Sequence, residues 1–192
     1  DAATGRLWYY QAGKQQGMMR VVVGTAQTPT PMLAGMLRYA ILNPYWNVPA
    51  DLAQRKIAPK ILAGRSLKSM GMEVLSDWGP SPHKVDPATV DWTAVAAGTQ
   101  EVRLRQLPGG DNSMGRVKFL FPNDHGIYLH DTPDKELFAE KDRHFSNGCI
   151  RLEDAKQLGR WLMGREPVAA TAEAEQHVSL PQGIPVFVTY LT

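Results

Sequence analysis

The sequence predicts a mainly β protein with some helix, of the α+β class. Three features favour this class: several short runs rich in β-branched and aromatic residues, one amphipathic helical segment, and a long stretch rich in proline and tryptophan. The chain has 192 residues, 43% of them hydrophobic and 21% charged. It is therefore long enough to bury one core and to carry an insertion.

The N-terminal residues predict a β-hairpin followed by an extended segment. Residues 6–11 and 18–23 have strand character, and Gly24 bounds the second run. The Thr-Pro-Thr-Pro sequence at 28–31 forces an extended backbone, because proline and the residue before it both disfavour helix. Residues 32–42 have mixed periodicity and receive no assignment.

The composition changes between residues 43 and 98, where proline and tryptophan are frequent and long strands are few. A helix is predicted over residues 50–62, and Pro59 should kink or divide it. We therefore expect 43–98 to be an inserted, partly helical and partly irregular capping subdomain. Residues 1–42 and 99–192 would then form the main domain.

The C-terminal half returns to the β pattern. Strands are predicted at residues 102–106, 117–121, 127–130 and 184–190. The glycine-rich loop 107–115 lacks the Gly-Lys-Ser/Thr end of a phosphate-binding loop, so we interpret it as a hairpin loop. A helix is predicted from about Glu153 to Met163, with Gly164 as its C-terminal cap.

Composition excludes several classes of function. The net charge is only +2 and the basic residues are scattered, so nucleic acid is not an expected partner. The one cysteine excludes an internal disulfide and a multi-cysteine zinc site, and the histidines show no metal-ligand spacing. We expect no metal and no cofactor. No run of 18 apolar residues occurs, so no transmembrane segment is predicted.

The most informative residues are Cys149 and His130. A thiol becomes a good nucleophile when a neighbour lowers its pKa or takes its proton, and an imidazole does either. Strand alternation places Tyr128 and His130 on one face of the 127–130 strand, opposite Leu129. The functional hypothesis is a Cys149 nucleophile with His130 as general base. The alternatives are a buried structural cysteine and a histidine bonded to a backbone carbonyl, and His125 and His144 are alternative bases.

The residues around Cys149 have candidate roles of their own. Gly148 lets the backbone approach a substrate, and successive N–H groups at this turn could hold an oxyanion, although the Asn147–Gly148 pair also suits an ordinary turn. Arg151 is a candidate for a substrate carboxylate, or it pairs on the surface with Glu153 or Asp154. Asp131 either orients His130 or anchors the turn that follows it.

These residues and their surroundings resemble the L,D-transpeptidases of bacterial cell walls, which have the YkuD-type catalytic domain. The family pattern is a strand-borne histidine, then Ser-His-Gly-Cys, an apolar residue and Arg or Asn. Here it reads His130 and then SNGCIR at 146–151. The segments MRVVVG, ILNPYWNVP, RQLPGGDNSMGRVKFLFPN, YLHDTP and IPVFVTYLT resemble the larger YcbB-like branch, which carries an inserted capping subdomain. Asn147 stands where many members have histidine, so the base is sought at His130.

The resemblance implies a fold, site roles and partners. It implies a β-rich fold around a mixed sheet with a cap that overhangs the cleft. It implies that Cys149 is the nucleophile, that His130 is the base, and that Gly148 and Cys149 are oxyanion donors. Substrate-contacting or site-shaping roles fall to Tyr128, Ser146, Asn147, Arg151 and Asp131.

The implied activity is transpeptidation of peptidoglycan stem peptides, which forms 3→3 meso-diaminopimelate cross-links through a cysteine acyl-enzyme. Carbapenems would acylate the same cysteine, and the location would be the periplasm or cell envelope. The alternatives are a carboxypeptidase or a D-amino-acid exchange enzyme of the same fold, a non-catalytic peptidoglycan-binding module, and a thiol redox sensor. The sensor would lack a resolving cysteine, since Cys149 is the only one in the chain.

Overall fold

The computed structural model describes residues 1–191, which form two compact units. The first unit comprises residues 1–44 and 113–191, and the second comprises residues 45–112. The second unit thus extends past residue 98 and includes a strand at Arg103–Gln106. Among the described residues, no helix has the length and apolar character needed to cross a membrane.

The first unit is built on one mixed eight-stranded sheet. Its spatial order is β1-β2-β11-β9-β8-β3-β12, with β10 paired to β2. The β9–β11 and β10–β2 pairs are parallel, and the other pairs are antiparallel. The strands are β1 (Arg6–Gln11), β2 (Lys14–Gly24), β3 (Leu33–Leu42), β8 (Val117–Leu120), β9 (Tyr128–His130), β10 (His144–Ser146), β11 (Ile150–Leu152) and β12 (Gln176–Val188). This architecture confirms the mainly β class with few helices.

One helix, α4 (Ala155–Met163), packs on the core of this unit. Asp154 caps its first turn by accepting a hydrogen bond from the Gln157 N–H at 2.8 Å, and Gly164 ends it in a left-handed conformation. Its buried face carries Ala155, Leu158 and Leu162, as the helical spacing predicts. A 3₁₀ turn, Lys135–Ala139, follows β9. The predicted helix is confirmed.

The second unit has a small antiparallel sheet and short helices. Its sheet order is β4-β7-β5-β6. The strands are β4 (Trp46–Val48), β5 (Met72–Leu75), β6 (Lys84–Val85) and β7 (Arg103–Gln106), and the helices are α1 (Ala50–Leu52), α2 (Ala58–Leu62) and α3 (Trp92–Ala97). A π-helical segment, Ala53–Ile57, joins α1 to α2, and 3₁₀ turns lie at Lys68–Met70 and Pro87–Thr89. The π-helical segment divides the helix predicted over 50–62, and it ends two residues before Pro59, which lies in the first turn of α2.

The structure assigns one segment that the sequence left open and overturns one prediction. Residues 33–42, which received no assignment, form β3, because hydrogen bonds from β8 on one side and β12 on the other fix them as a strand. The loop 107–115 is not a hairpin loop. The strands β7 and β8 that flank it belong to different sheets, so the loop is a connection between the two units.

Candidate active site

The candidate site lies on the three central strands β8, β9 and β11. Strand β9 pairs antiparallel with β8 and parallel with β11, where Arg151 is the partner of His130 and Ile150 the partner of Leu129. Leu129 and Ile150 point into the core. The rings of Tyr128 and His130 lie edge to face with centroids 5.9 Å apart, so these two side chains share the other face. The parallel pairing therefore brings the residues around Cys149 beside Tyr128 and His130.

His130 is buried, with 2% of its surface exposed, and its tautomer is fixed by the backbone. Its Nδ1 lies at hydrogen-bond distance from the carbonyl of Asp131, which can only accept, so Nδ1 carries the proton. The lone pair is then on Nε2. Burial, with a smaller contribution from the positive charge of Arg151, lowers the pKa of His130 to about 3. The imidazole is therefore neutral at pH 7 and able to accept a proton.

Cys149 is a free, half-buried cysteine in the turn before β11. Its Sγ lies 4.0 Å from the carbonyl oxygen of Gly126. Burial raises the pKa of the thiol, while hydrogen bonds from Tyr128 and the charge of Arg151 oppose this rise. Burial, and then the neighbouring thiol, raise the pKa of the Tyr128 hydroxyl, so Tyr128 remains a donor. The described residues thus hold a protonated thiol and a neutral imidazole, and a protonated thiol needs a base to take its proton before it is a good nucleophile.

The turn that carries Cys149 is held from inside by Ser146. The Ser146 hydroxyl is buried, donates to the carbonyl of Cys149 at 2.6 Å and accepts from the N–H of Gly148 at 3.1 Å. Gly148 has φ +108, and a Cβ there would lie 3.2 Å from Cδ1 of Ile127. A side chain is therefore disfavoured by both backbone and space.

Thr30 belongs to this site although sequence reasoning did not select it. It is fully buried, and its hydroxyl accepts from the N–H of Gly24 at 2.9 Å and donates to the carbonyl of Gly148 at 2.8 Å. The Tyr190 hydroxyl donates to the carbonyl of Thr30 at 2.7 Å. The available sequence signal was the Thr-Pro-Thr-Pro segment itself, which predicts an extended chain and says nothing about a partner 118 residues away.

Arg151 lies on the His130 face but pairs with neither predicted carboxylate. Its Nη1 donates to Oδ2 of Asp134 at 2.7 Å. Glu153, one of the two carboxylates considered as a surface partner, binds Arg20 on β2 instead. Arg151 is one-fifth exposed at its side chain, and its charge reaches both the thiol and the imidazole. It is therefore the cationic group of this site.

Asp131 orients His130 through its backbone, whereas its side chain anchors the turn. The carboxylate accepts from the N–H of Arg116 at 2.9 Å and from Nζ of Lys135 at 2.8 Å. Lys135 also donates to the carbonyl of Glu153 at 3.0 Å, which ties this turn to the end of β11. Both roles considered for Asp131 are thus present, divided between its carbonyl and its carboxylate.

The remaining predicted and alternative residues occupy different positions. Asn147 is exposed at the tip of the cysteine turn. His144 contacts Asp142 through Nδ1 and the carbonyl of Ala2 through Nε2 at 3.1 Å, so both of its nitrogens are engaged. His125 is exposed on the loop before β9. Within residues 1–191, no group of three or more His, Cys, Asp or Glu side chains could hold a metal ion.

A cavity of about 860 Å³ lies on the opposite side of the large sheet from the thiol. Leu129 and Ile150 contribute to its lining, and these are the residues that point away from His130 and Arg151. Other lining residues come from β1, α4 and β12, for example Tyr9, Trp161 and Val186. The largest of the cavities described therefore lies on the face opposite the candidate site.

The thiol is hydrogen-bonded by Tyr128, and the charge of Arg151 acts on both the thiol and the buried neutral histidine, which suits a cysteine enzyme. Comparison with known proteins identifies the kind. The YkuD family model, described as the L,D-transpeptidase catalytic domain, matches residues 1–170. The chain therefore belongs to the L,D-transpeptidase family of cell-wall enzymes.

Individual relatives are similar over different extents. A candidate L,D-transpeptidase of Haemophilus influenzae is 32% identical over an alignment of 195 positions, which covers 97% of this chain and 39% of that protein. The chain thus spans about two fifths of the length of this curated relative. The structure of the Ldtfm–avibactam carbamoyl enzyme has a TM-score of 0.42 at 13% identity, over 86% of this chain and 44% of that one. An L,D-transpeptidase from Mycobacterium smegmatis has a TM-score of 0.40 at 13% identity, over 83% and 50%.

Proposed function

We propose that this chain forms 3→3 cross-links between peptidoglycan stem peptides, with Cys149 as nucleophile and His130 as general base. The single observation that supports it most is the free thiol of Cys149 beside Tyr128, on the face shared with a neutral His130. Periplasmic or cell-envelope location and acylation by carbapenems are parts of the same proposal. So is membership of the YcbB-like branch, with the second unit acting as the capping subdomain.

The first half-reaction acylates the thiol. Sγ of Cys149 attacks the carbonyl carbon at the L-centre of meso-diaminopimelate in stem position three, and the thiol proton passes to Nε2 of His130. The carbonyl oxygen becomes an oxyanion. We assign its donor to the N–H of Cys149, because the N–H of Gly148 already donates to Ser146. The intermediate collapses, the C–N bond to the terminal D-alanine breaks, and His130 returns the proton to the leaving amine.

The second half-reaction transfers the acyl group to an acceptor. The side-chain amine of a second stem attacks the thioester carbon and loses its proton to His130. The C–S bond then breaks, and the thiolate recovers that proton. Arg151 is suited to a stem carboxylate, since a guanidinium binds carboxylates in a bidentate manner. The other proposed substrate-contacting residues are Tyr128 and Asn147, whereas Ser146 and Asp131 act through their hold on the two turns.

Intact-protein mass spectrometry with a carbapenem tests the acylation. We expect one adduct on the wild-type protein and none on Cys149→Ala. His130→Gln should form the adduct roughly 10²- to 10⁴-fold more slowly, the usual contribution of a general base. The matched control is His144→Gln, which changes an alternative base and should react at the wild-type rate. An equal adduct on Cys149→Ala would sink the proposal.

Muropeptide analysis tests the transfer step. Incubation with a tetrapeptide donor and an amine-bearing acceptor stem should yield a 3→3 cross-linked dimer and free D-alanine. Release of the tripeptide alone would assign the chain to the carboxypeptidases. Exchange of the terminal residue for an added D-amino acid, without dimer, would assign it to the exchange enzymes.

A further inference from the structure

The peptide group between Gly148 and Cys149 is clamped by a residue that lies outside the sequence motif. A trans peptide is planar, with its C=O and N–H pointing in opposite directions. The carbonyl of Gly148 accepts from the hydroxyl of Thr30 at 2.8 Å, in the buried interior. The N–H of Cys149 belongs to the same plane. It therefore points away from Thr30, and the direction of this N–H is set by the position of one hydroxyl.

Two hydrogen bonds and one close backbone approach hold that hydroxyl in position. It accepts from the N–H of Gly24 at 2.9 Å, and the carbonyl of Thr30 accepts from Tyr190 at 2.7 Å. At Gly24 an added Cβ would lie 2.1 Å from the carbonyl of Thr28 and 2.6 Å from the nitrogen of Thr30. Strand β2 and the Thr-Pro-Thr-Pro segment thus approach so closely that only glycine fits at residue 24, and this close packing restricts how far Thr30 can shift.

Three further backbone groups of the turn have hydrogen-bond partners of their own. Ser146 accepts the N–H of Gly148 and donates to the carbonyl of Cys149. The carbonyl of Ser146 accepts from the N–H of Thr25 at 3.1 Å and, more weakly, from the hydroxyl of Thr28 at 3.3 Å. The N–H of Cys149 points away from Thr30 and belongs to the residue that carries the thiol, so it is the donor that we assign to the oxyanion.

We propose that Thr30 is a positioning residue that aims the Cys149 N–H at the oxyanion formed during acylation. The inference rests on the proposed acyl-transfer function, and it assigns a role to a residue 119 positions before the nucleophile. Loss of the Thr30 hydroxyl should therefore slow acylation of Cys149 but not its alkylation. Acylation passes through an oxyanion and needs this N–H, whereas alkylation displaces a halide at carbon and forms no oxyanion.

The test compares two reagents on the same thiol. With 4-nitrophenyl acetate, Sγ bonds to the acetyl carbon, the C–O bond to 4-nitrophenolate breaks, and the thiol proton goes to His130 and then to solvent. With iodoacetamide, Sγ bonds to the methylene carbon, iodide leaves and the proton goes to solvent. Rates of nitrophenolate release and of carbamidomethylation are measured on full-length, folded protein at one pH.

Thr30→Val keeps the shape and removes the hydroxyl. We expect acylation to slow about 10- to 100-fold, less than the full loss of an oxyanion donor, while alkylation changes less than about threefold. Thr30→Ser restores the hydroxyl and should recover acylation to within about threefold. The matched control is Thr28→Val. It removes a hydroxyl that also donates to the cysteine turn, but its acceptor, the carbonyl of Ser146, keeps the N–H of Thr25 as a second donor. Both of its rates should stay within about threefold of wild type.

Two results would overturn the inference. One is an equal fall of both rates in Thr30→Val, which would mean that Thr30 only holds the thiol in place. The other is unchanged acylation. If Thr30→Val does not fold, Tyr190→Phe takes its place, because it frees the Thr30 carbonyl and should slow acylation selectively by about three- to tenfold. Failure of the proposed function has a different signature: wild type would react with 4-nitrophenyl acetate but form no carbapenem adduct and no cross-link.

Discussion

The buried neutral imidazole of His130 makes the stability of the fold depend on pH in a defined window. The pKa of His130 is about 3 in the folded protein, against about 6.5 for an unfolded histidine. Between these values the unfolded chain binds the proton and the folded chain does not. The contribution of His130 to the free energy of unfolding is therefore fully present above pH 6.5 and is lost as the pH falls towards 3.

The magnitude follows from the two values. Each pH unit inside the window costs about 1.4 kcal/mol, so lowering the pH from 7 to 5 should destabilise the fold by about 2 kcal/mol through His130 alone. His130→Gln removes the titration and keeps an amide donor for the Asp131 carbonyl. The difference between wild type and variant isolates this contribution, because every other titrating group is common to both proteins.

The assay is urea denaturation of the wild-type and His130→Gln proteins at pH 7 and pH 5. We expect the free energy of unfolding of wild type to fall by about 2 kcal/mol more than that of the variant. Equal losses in the two proteins would show that His130 titrates near its ordinary pKa when folded. That result would refute the neutral, proton-accepting imidazole on which the base role depends.

Two further predictions concern the thiol and its turn. Because burial raises the pKa of Cys149, the rate of its alkylation by iodoacetamide should keep rising with pH beyond pH 8. Tyr128→Phe should slow this alkylation about three- to tenfold, because it removes a hydrogen bond to the thiolate. A plateau from pH 5 to 8 would indicate a preformed thiolate–imidazolium pair instead. Ser146→Ala leaves the N–H of Gly148 and the carbonyl of Cys149 without their partner and should lower the free energy of unfolding by about 2 kcal/mol or more, measured by urea denaturation. A loss below about 0.5 kcal/mol would show that water replaces the hydroxyl at no cost.

Local periodicity predicted the features that depend on neighbouring residues. Alternation along β9 placed Tyr128 and His130 on one face, and their ring contact bears this out. Helical spacing and a terminal glycine located α4. These predictions succeed because the geometry of a single strand or helix determines which of its own side chains share a face.

Features that depend on distant parts of the chain could not be predicted in this way. Arg151 had acidic residues two and three positions away, yet it pairs with Asp134, while Glu153 binds Arg20 across 133 residues. Strand β11 pairs antiparallel with β2, with Leu152 opposite Val21, and this register puts Glu153 beside Arg20. Thr30 was missed for the same reason, since its partner lies 118 residues along the chain.

The hydrogen bonds that hold the cysteine turn also determine at what stage of synthesis and folding the site can form. The parts of the chain that meet there are residues 24–30, 146–149 and Tyr190, and the entire second unit is synthesised between the first two. If Thr30 orients the N–H of Cys149 as proposed, a nascent chain can hold this orientation only once nearly all of these residues are available. Contacts of such long sequence separation also form late in folding, because the entropy of closing the loop opposes them. Under that proposal, acylation of Cys149, rather than its reactivity in general, depends on completed folding.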